Sequence, residues 1–160
     1  MKKNIHPQKG VGMIEVIVCL TIITISFWAF LELAKYSLKI QEQTEAKTAA
    51  LNLATETIEA TRSIRDENWD NLASLSLETR YYPVISENKW ALTSINPGLV
   101  NGIYDRWVIL EKVYRDTNDN ISASGAEDPQ TKKITAFTEW TDRGQTQQIN
   151  LTTYLTNWPD

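Results

Sequence analysis

The stretch VGMIEVIVCLTIITISFWAFL, residues 11–31, decides the fold of this chain. It follows a short basic leader, residues 1–10, and carries a single charged residue, Glu15. As a helix it would be roughly 30 Å long, which is the thickness of the hydrocarbon core of a bilayer. A carboxylate in such a segment costs a few kcal/mol near the bilayer centre, so Glu15 needs a specific role.

Three interpretations of residues 11–31 compete. A secretory signal has a shorter apolar core, of about 7–15 residues, followed by small residues, and neither property holds here. A buried core helix would need a polar face, which this stretch lacks. We therefore predict a single membrane-spanning helix. Lys2, Lys3 and Lys9 of the leader predict a cytoplasmic N-terminus, with the remainder of the chain on the outer side.

Composition excludes several classes of function. The chain has 160 residues and a net charge of −4, and the three lysines of the leader leave −7 for the remainder. Such an acidic body lacks the basic patch that nucleic-acid binding needs. The only cysteine is Cys19 and the only histidine is His6. We therefore expect no disulfide within the chain, no His/Cys metal site, no catalytic residues and no enzymatic activity.

The sequence KGVGMIEVIVCL, residues 9–20, resembles the N-terminal signal of type IV prepilins and pseudopilins. In that family a prepilin peptidase cleaves after a glycine and methylates the new N-terminus, and a glutamate is the fifth mature residue. The resemblance implies cleavage between Gly10 and Val11, methylation of Val11 and a role in assembly for Glu15. Val11 replaces the family's usual aromatic first residue, and Gly12 stands where threonine is common.

The spacing gives Glu15 a physical role in such an assembly. About one helical turn separates it from the amine that cleavage would create on Val11. A buried carboxylate is tolerated when it is paired with a cation, and in the resembled filaments a neighbouring subunit commonly supplies the amine. Glu15 would then set the register between subunits. The alternative is a glutamate that reaches the membrane boundary and has no partner.

Helical character continues beyond the apolar stretch. Residues 32–66 contain no proline or glycine and are rich in good helix formers. We predict one helix, whose first half spans the membrane and whose second half is amphipathic and packs on a sheet. The apolar stripe of the second half recurs at helical spacing and consists of Leu51, Ala54 and Ile58, widened by Ala50, Leu53 and Ala60.

Residues 67–160 are predicted to form a globular β domain. Pro83 marks an edge or a break in the first strand, and Asp142-Arg143-Gly144 is a hairpin turn. The expected fold class is α+β, with the long helix on an antiparallel sheet of about four or five strands. This is also the ladle-like fold that the pilin resemblance implies. The candidate strands are residues 77–86, 90–95, 103–115, 133–141 and 147–157.

The loop at residues 116–130 has the spacing of a calcium-binding loop. Ile121 stands where that motif needs glycine, and the flanking segments are predicted strands rather than helices. The same residue types are common in any polar turn, so we favour a plain loop without a cofactor and keep calcium as the alternative. Oxygen-bearing side chains occupy positions 1, 3, 5, 7, 9 and 12 of the motif: Asp116, Asn118, Asn120, Ser122, Ser124 and Glu127.

Together these features predict a structural subunit, a minor pilin or pseudopilin of a type IV pilus or related secretion filament. Its C-terminal segments TAFTEW and LTTYLTNW loosely resemble minor pilins of the pilus-modification type. The expected partners are the prepilin peptidase, other pilin subunits through the N-terminal helix, the inner-membrane assembly platform and, before assembly, the lipid bilayer. The alternative is a binding domain or enzyme that uses the span only as a tether. A binding module at a filament tip is compatible with the first prediction.

Overall fold

The computed structural model describes residues 12–158, and the chain divides into two compact units, Met1–Thr44 and Glu45–Asp160. The first helix, α1 (Met13–Glu67), begins in the first unit and ends in the second. Within the second unit, α1 packs on an antiparallel sheet, so the protein is α+β as predicted. The predicted helix, residues 11–66, agrees with α1 over the described residues.

In the second unit α1 buries one face against the sheet. The hydroxyls of Thr57 and Thr61 donate to the carbonyl oxygens of Leu53, at 2.9 Å, and of Thr57, at 2.8 Å, so both threonines are buried at little cost. The predicted stripe missed both threonines because it counted apolar residues alone. It also wrongly included Leu51, which is 42% exposed. The buried residues are Ala50, Ala54, Thr57, Ile58, Ala60, Thr61 and Ile64.

Within residues 12–158 the sheet has six strands: β1 (Arg80–Ser86), β2 (Lys89–Thr93), β3 (Asp105–Arg115), β4 (Ile121–Ser122), β5 (Ala126–Asp142) and β6 (Gln145–Thr156). Their order is β2-β1-β3-β5-β6, and β4 pairs with the end of β3. All strand pairs are antiparallel. The predicted number of about four or five was too small, because β4 has only two residues and lies in the presumed loop. A short helix, α2 (Asp70–Ala73), precedes the sheet.

Strand β1 changes its partner after its second residue. Arg80 and Tyr81 pair with β3, whereas the residues from Tyr82 onward pair with β2. Pro83, which has no N–H to donate, lies directly after this point, opposite Leu92. The expected interruption at Pro83 therefore coincides with the place where β1 leaves β3.

Strand β5 begins at Ala126, well before the predicted start at residue 133. Its first residues, AEDPQ, have the composition of a loop and contain Pro129. They are extended because they pair with the end of β3, after a register shift between Lys112 and Val113. This non-local pairing has no signature in the local sequence, so the prediction placed a loop there.

Among the described residues, two hydrophobic clusters hold α1 on the sheet. The larger cluster joins Ile58 and Ile64 of α1 to Val108, Leu110 and other residues of the central strands. The smaller cluster is built on Ala50, Tyr104 and Trp140. Because side chains alternate along a strand, Trp107 lies on the other face of the sheet from Val108. There it stacks on Phe137 at 5.4 Å between ring centroids and lies under Arg80.

Candidate functional site

The candidate assembly site begins at the first turn of α1. The predicted processing residues, Gly10 and Val11, lie outside the described residues. The carbonyl of Gly12 accepts hydrogen bonds from the N–H groups of Glu15, at 2.9 Å, and Val16, at 3.4 Å. Glu15 therefore lies in the first turn, where the helix dipole favours a carboxylate.

The helix in the first unit exposes large apolar side chains all around. Ile14 is 76% exposed, Ile25 65% and Trp28 71%. None of the most apolar segment of α1 is buried, whereas a core helix of a soluble protein would be mostly buried. By length and composition, α1 could cross a membrane.

The hydroxyl side chains of Thr21, Thr24 and Ser26 in this apolar stretch are satisfied by the helix itself. Each hydroxyl donates to the carbonyl one turn earlier, so an apolar environment leaves none of these groups unpaired. The sequence prediction made no use of these hydroxyls, although their positions in a predicted helix could have shown that each can bond to the carbonyl one turn earlier. The bonds run from Thr21 to Ile17 at 2.7 Å, from Thr24 to Leu20 at 2.9 Å and from Ser26 to Ile22 at 2.8 Å.

Charged residues follow directly after the apolar stretch of α1. Lys35 and Glu32 form an exposed ion pair at 2.8 Å, one turn apart on the helix. Such an exposed pair contributes a few tenths of a kcal/mol at most. Glu32 is therefore a useful reference for Glu15, because both are glutamates on one helix and only Glu15 lies within the apolar stretch.

The polar loop after β3 is ordered around Asp116. Its carboxylate accepts the backbone N–H groups of Asn118, at 2.8 Å, and Asn120, at 2.9 Å. These bonds favour the charged form and hold the pKa of Asp116 below its usual value. The loop thus closes on its own carboxylate, in the manner of an Asx turn.

The other predicted calcium ligands do not share one environment. Glu127 lies on β5 and accepts a hydrogen bond from Lys112 at 2.8 Å, which raises the pKa of Lys112. Asn120 lies beside Asp116, with 3.3 Å between Nδ2 and Oδ2. Within residues 12–158, no group of three or more His, Cys, Asp or Glu side chains is placed to hold a metal ion. Calcium binding at this loop stays a prediction, which isothermal titration of the full chain with Ca²⁺ tests.

The cation that organises this end of the sheet is Arg115, which the sequence prediction missed. Its Nε donates to Asp128 at 2.7 Å, and its Nη1 donates to the carbonyl oxygen of Asp119 at 2.8 Å. The bond from Arg115, joined by a weaker one from Thr131, holds the pKa of Asp128 below its usual value. Arg115 therefore joins the loop to β5, so the role of Arg115 is structural.

Comparison of the chain with protein-family models, with curated proteins and with solved structures finds no match. The candidate site therefore consists of what the chain itself presents. Its parts are Glu15 in the first turn of α1, the exposed apolar surface that follows, and the amphipathic end of α1 on the sheet.

Proposed function

We propose that this chain is a structural subunit, a minor pilin or pseudopilin, of a type IV pilus or related secretion filament. The observation that carries the proposal is that the two parts of α1 differ in what covers them. Its first part exposes a large apolar surface with Glu15 in the first turn, and its last part is buried on the sheet. Exposed apolar surface of this extent needs lipid or other helices to cover it.

The proposed pathway uses both environments in turn. The chain first lies in the inner membrane, with its N-terminus in the cytoplasm and its C-terminal unit outside. Prepilin peptidase cleaves after Gly10 and methylates Val11. The assembly platform then moves the subunit into the filament, where other pilin helices replace the lipid. Glu15 pairs there with the amine of a neighbouring subunit, which lowers the cost of burying its charge.

Mass spectrometry of the mature protein tests the processing step. We expect a chain that lacks residues 1–10 and carries one methyl group on Val11. Gly10→Val should block cleavage, because the resembled peptidase cuts after a glycine, whereas Gly12→Val should not, because Gly12 lies beyond the predicted cut. An intact Met1 in the wild-type protein would favour the alternative, a domain that is only tethered to the membrane.

Replacement of the two glutamates of α1 tests the role in assembly. Glu15→Ala should leave membrane insertion intact and reduce the amount of subunit in sheared filaments, because the neighbouring amine loses its partner. Glu32→Ala is the matched control and should be incorporated normally, since its ion pair with Lys35 is exposed. Incorporation of the Glu15→Ala chain at the wild-type level would refute the assembly role.

A further inference from the structure

Strand β6 is an edge of the sheet, and among the described strands it pairs with β5 alone. The pairing runs without a register shift from the hairpin, where Asp142 faces Gln145, to Thr131 and Thr156. β6 is therefore a regular strand over its whole length. Its outer edge carries a row of backbone groups that no described strand engages.

The hairpin decides which backbone groups point outward. Arg143 and Gly144 have φ values of 51° and 79°, as a two-residue type I′ turn requires, and such a turn is closed by a hydrogen-bonded pair. Hydrogen-bonded pairs then recur at every second residue. At the far end, the N–H of Asn157 donates to the carbonyl of Gln130 at 2.8 Å, which agrees with this alternation. The N–H and C=O groups of the even-numbered residues of 146–156 therefore face away from the sheet.

β6 lacks the features that usually protect an edge strand. Its sequence, QTQQINLTTYLT, has no charged residue and no proline, in a chain whose charged residues make up 22%. Gln148, Asn150 and Thr152 are exposed. The opposite edge, β2, is shorter and begins with Lys89. A long, regular and uncharged edge is a template for the addition of another strand.

We propose that β6 pairs with β6 of a second copy of this chain, as an antiparallel ladder that joins the two sheets. On the side that faces α1, β6 carries Ile149, Leu151 and Leu155, which are half-buried or buried, and its other side is polar. A strand added to this edge must continue both sides, and β6 has the required alternation. A two-fold axis perpendicular to the sheet places the apolar sides of both strands on one face. β6 itself brings no charged side chain to the contact, although each copy is acidic.

The outward-facing groups select a register. Even-numbered residues must lie opposite even-numbered residues, and the overlap of the two strands is then greatest with Asn150 opposite Thr152 of the second copy. Gln148 then faces Tyr154 of the second copy, so polar side chains meet polar side chains. Leu151 lies on the axis, next to its own counterpart on the apolar side.

The two-fold axis also decides which copies can make this contact. It reverses the direction of the α1 segment at residues 45–67, which lies on the sheet. Subunits of one filament run in the same direction, so the contact joins copies in two different filaments rather than neighbours in one. This last step rests on the proposed function, whereas the pairing of two copies does not.

Sedimentation of the purified full-length chain in detergent micelles tests the pairing. We expect a dimer whose dissociation constant rises at least tenfold in Asn150→Pro, because the symmetry removes two hydrogen bonds at once while the bonds to β5 remain. Asn150→Lys should dissociate the dimer as well. Asn52→Lys is the matched control, since it adds the same charge on the exposed side of α1 and should leave the dimer unchanged. Thermal unfolding of each variant checks that the fold is kept.

Disulfide cross-linking tests the register in a Cys19→Ser background. Oxidation should produce a covalent dimer when Asn150→Cys and Thr152→Cys chains are mixed, because opposed Cα atoms of a bonded pair lie about 5.5 Å apart. Neither variant alone should cross-link, since its own counterparts are offset along the strands. A monomeric wild-type chain, equal dimers in Asn150→Lys and Asn52→Lys, or no cross-link in the mixture would each overturn the proposal. These outcomes do not depend on processing, so they are distinct from failure of the proposed function.

Discussion

Truncation of Leu110 measures how much the helix–sheet core contributes to stability. Leu110 is fully buried in the centre of β3, within the cluster that contains Ile58 and Ile64 of α1. Leu110→Ala removes the buried methyl groups and leaves a cavity, which together cost about 3 kcal/mol or more at comparable sites. Leu99→Ala makes the same chemical change at a residue that is 56% exposed and should cost less than about 0.5 kcal/mol.

Urea unfolding of the full chain in micelles, followed by near-ultraviolet circular dichroism of the buried tryptophans, gives both values. With a slope of roughly 2 kcal/mol per M of urea, a loss of about 3 kcal/mol lowers the midpoint by about 1.5 M. The Leu99→Ala midpoint should stay near that of the wild type. A loss below about 1 kcal/mol for Leu110→Ala, or equal losses for both variants, would refute the packing of α1 on β3.

Three further predictions concern the turns and the polar loop. Gly125→Ala should destabilise the protein by more than about 2 kcal/mol in urea unfolding, because its Cβ would lie 2.0 Å from a backbone carbonyl oxygen. In the control Gly98→Ala the new Cβ meets no atom within 4 Å, so this variant should cost only about 1 kcal/mol of backbone strain. Similar losses in the two variants would contradict this account. The pKa of Asp128 is lowered in the folded protein, mainly by Arg115. Ionised Asp128 therefore stabilises the fold fully above the ordinary carboxyl pKa of about 4, and this stabilisation is lost as the pH falls through the lower pKa that Asp128 has in the folded protein. The free energy of unfolding, measured from pH 6 to pH 2, should show this loss, and Asp128→Asn should make it fall less steeply with pH. An unchanged dependence on pH would exclude the Arg115–Asp128 pair as the source of the loss. Glu87→Asn should raise the free energy of unfolding by about 0.5 kcal/mol, because residue 87 has a φ of 52° in the β1–β2 turn and asparagine tolerates this conformation better; a decrease would argue against the turn.

Local signals were sufficient for much of the fold. A helix from the apolar stretch to residue 66 follows from residues that favour helix and from the absence of proline and glycine, and α1 ends at Glu67. The β5–β6 hairpin was predicted from Asp142-Arg143-Gly144, and Arg143 and Gly144 have the positive φ values of a two-residue turn. These features depend on neighbours in the chain, so their physical causes can be read from the order of the residues.

Features that depend on distant residues were missed. The early start of β5 and the short β4 come from pairing with β3, and the burial of Thr57 and Thr61 comes from the sheet that covers them. The same is true of the polar loop. Its spacing suggested calcium, but Glu127 lies on a strand beside Lys112, and Arg115 binds Asp128.

For the candidate site, the sequence alone determined the apolar stretch and the place of Glu15 within it. The tertiary structure decided which part of α1 is covered by the sheet and which strand is left as a regular, uncharged edge. The physical reason is the range of the interactions. Helix propensity, hydropathy and turn conformation act between near neighbours, whereas burial and strand pairing exist only after distant segments have come together.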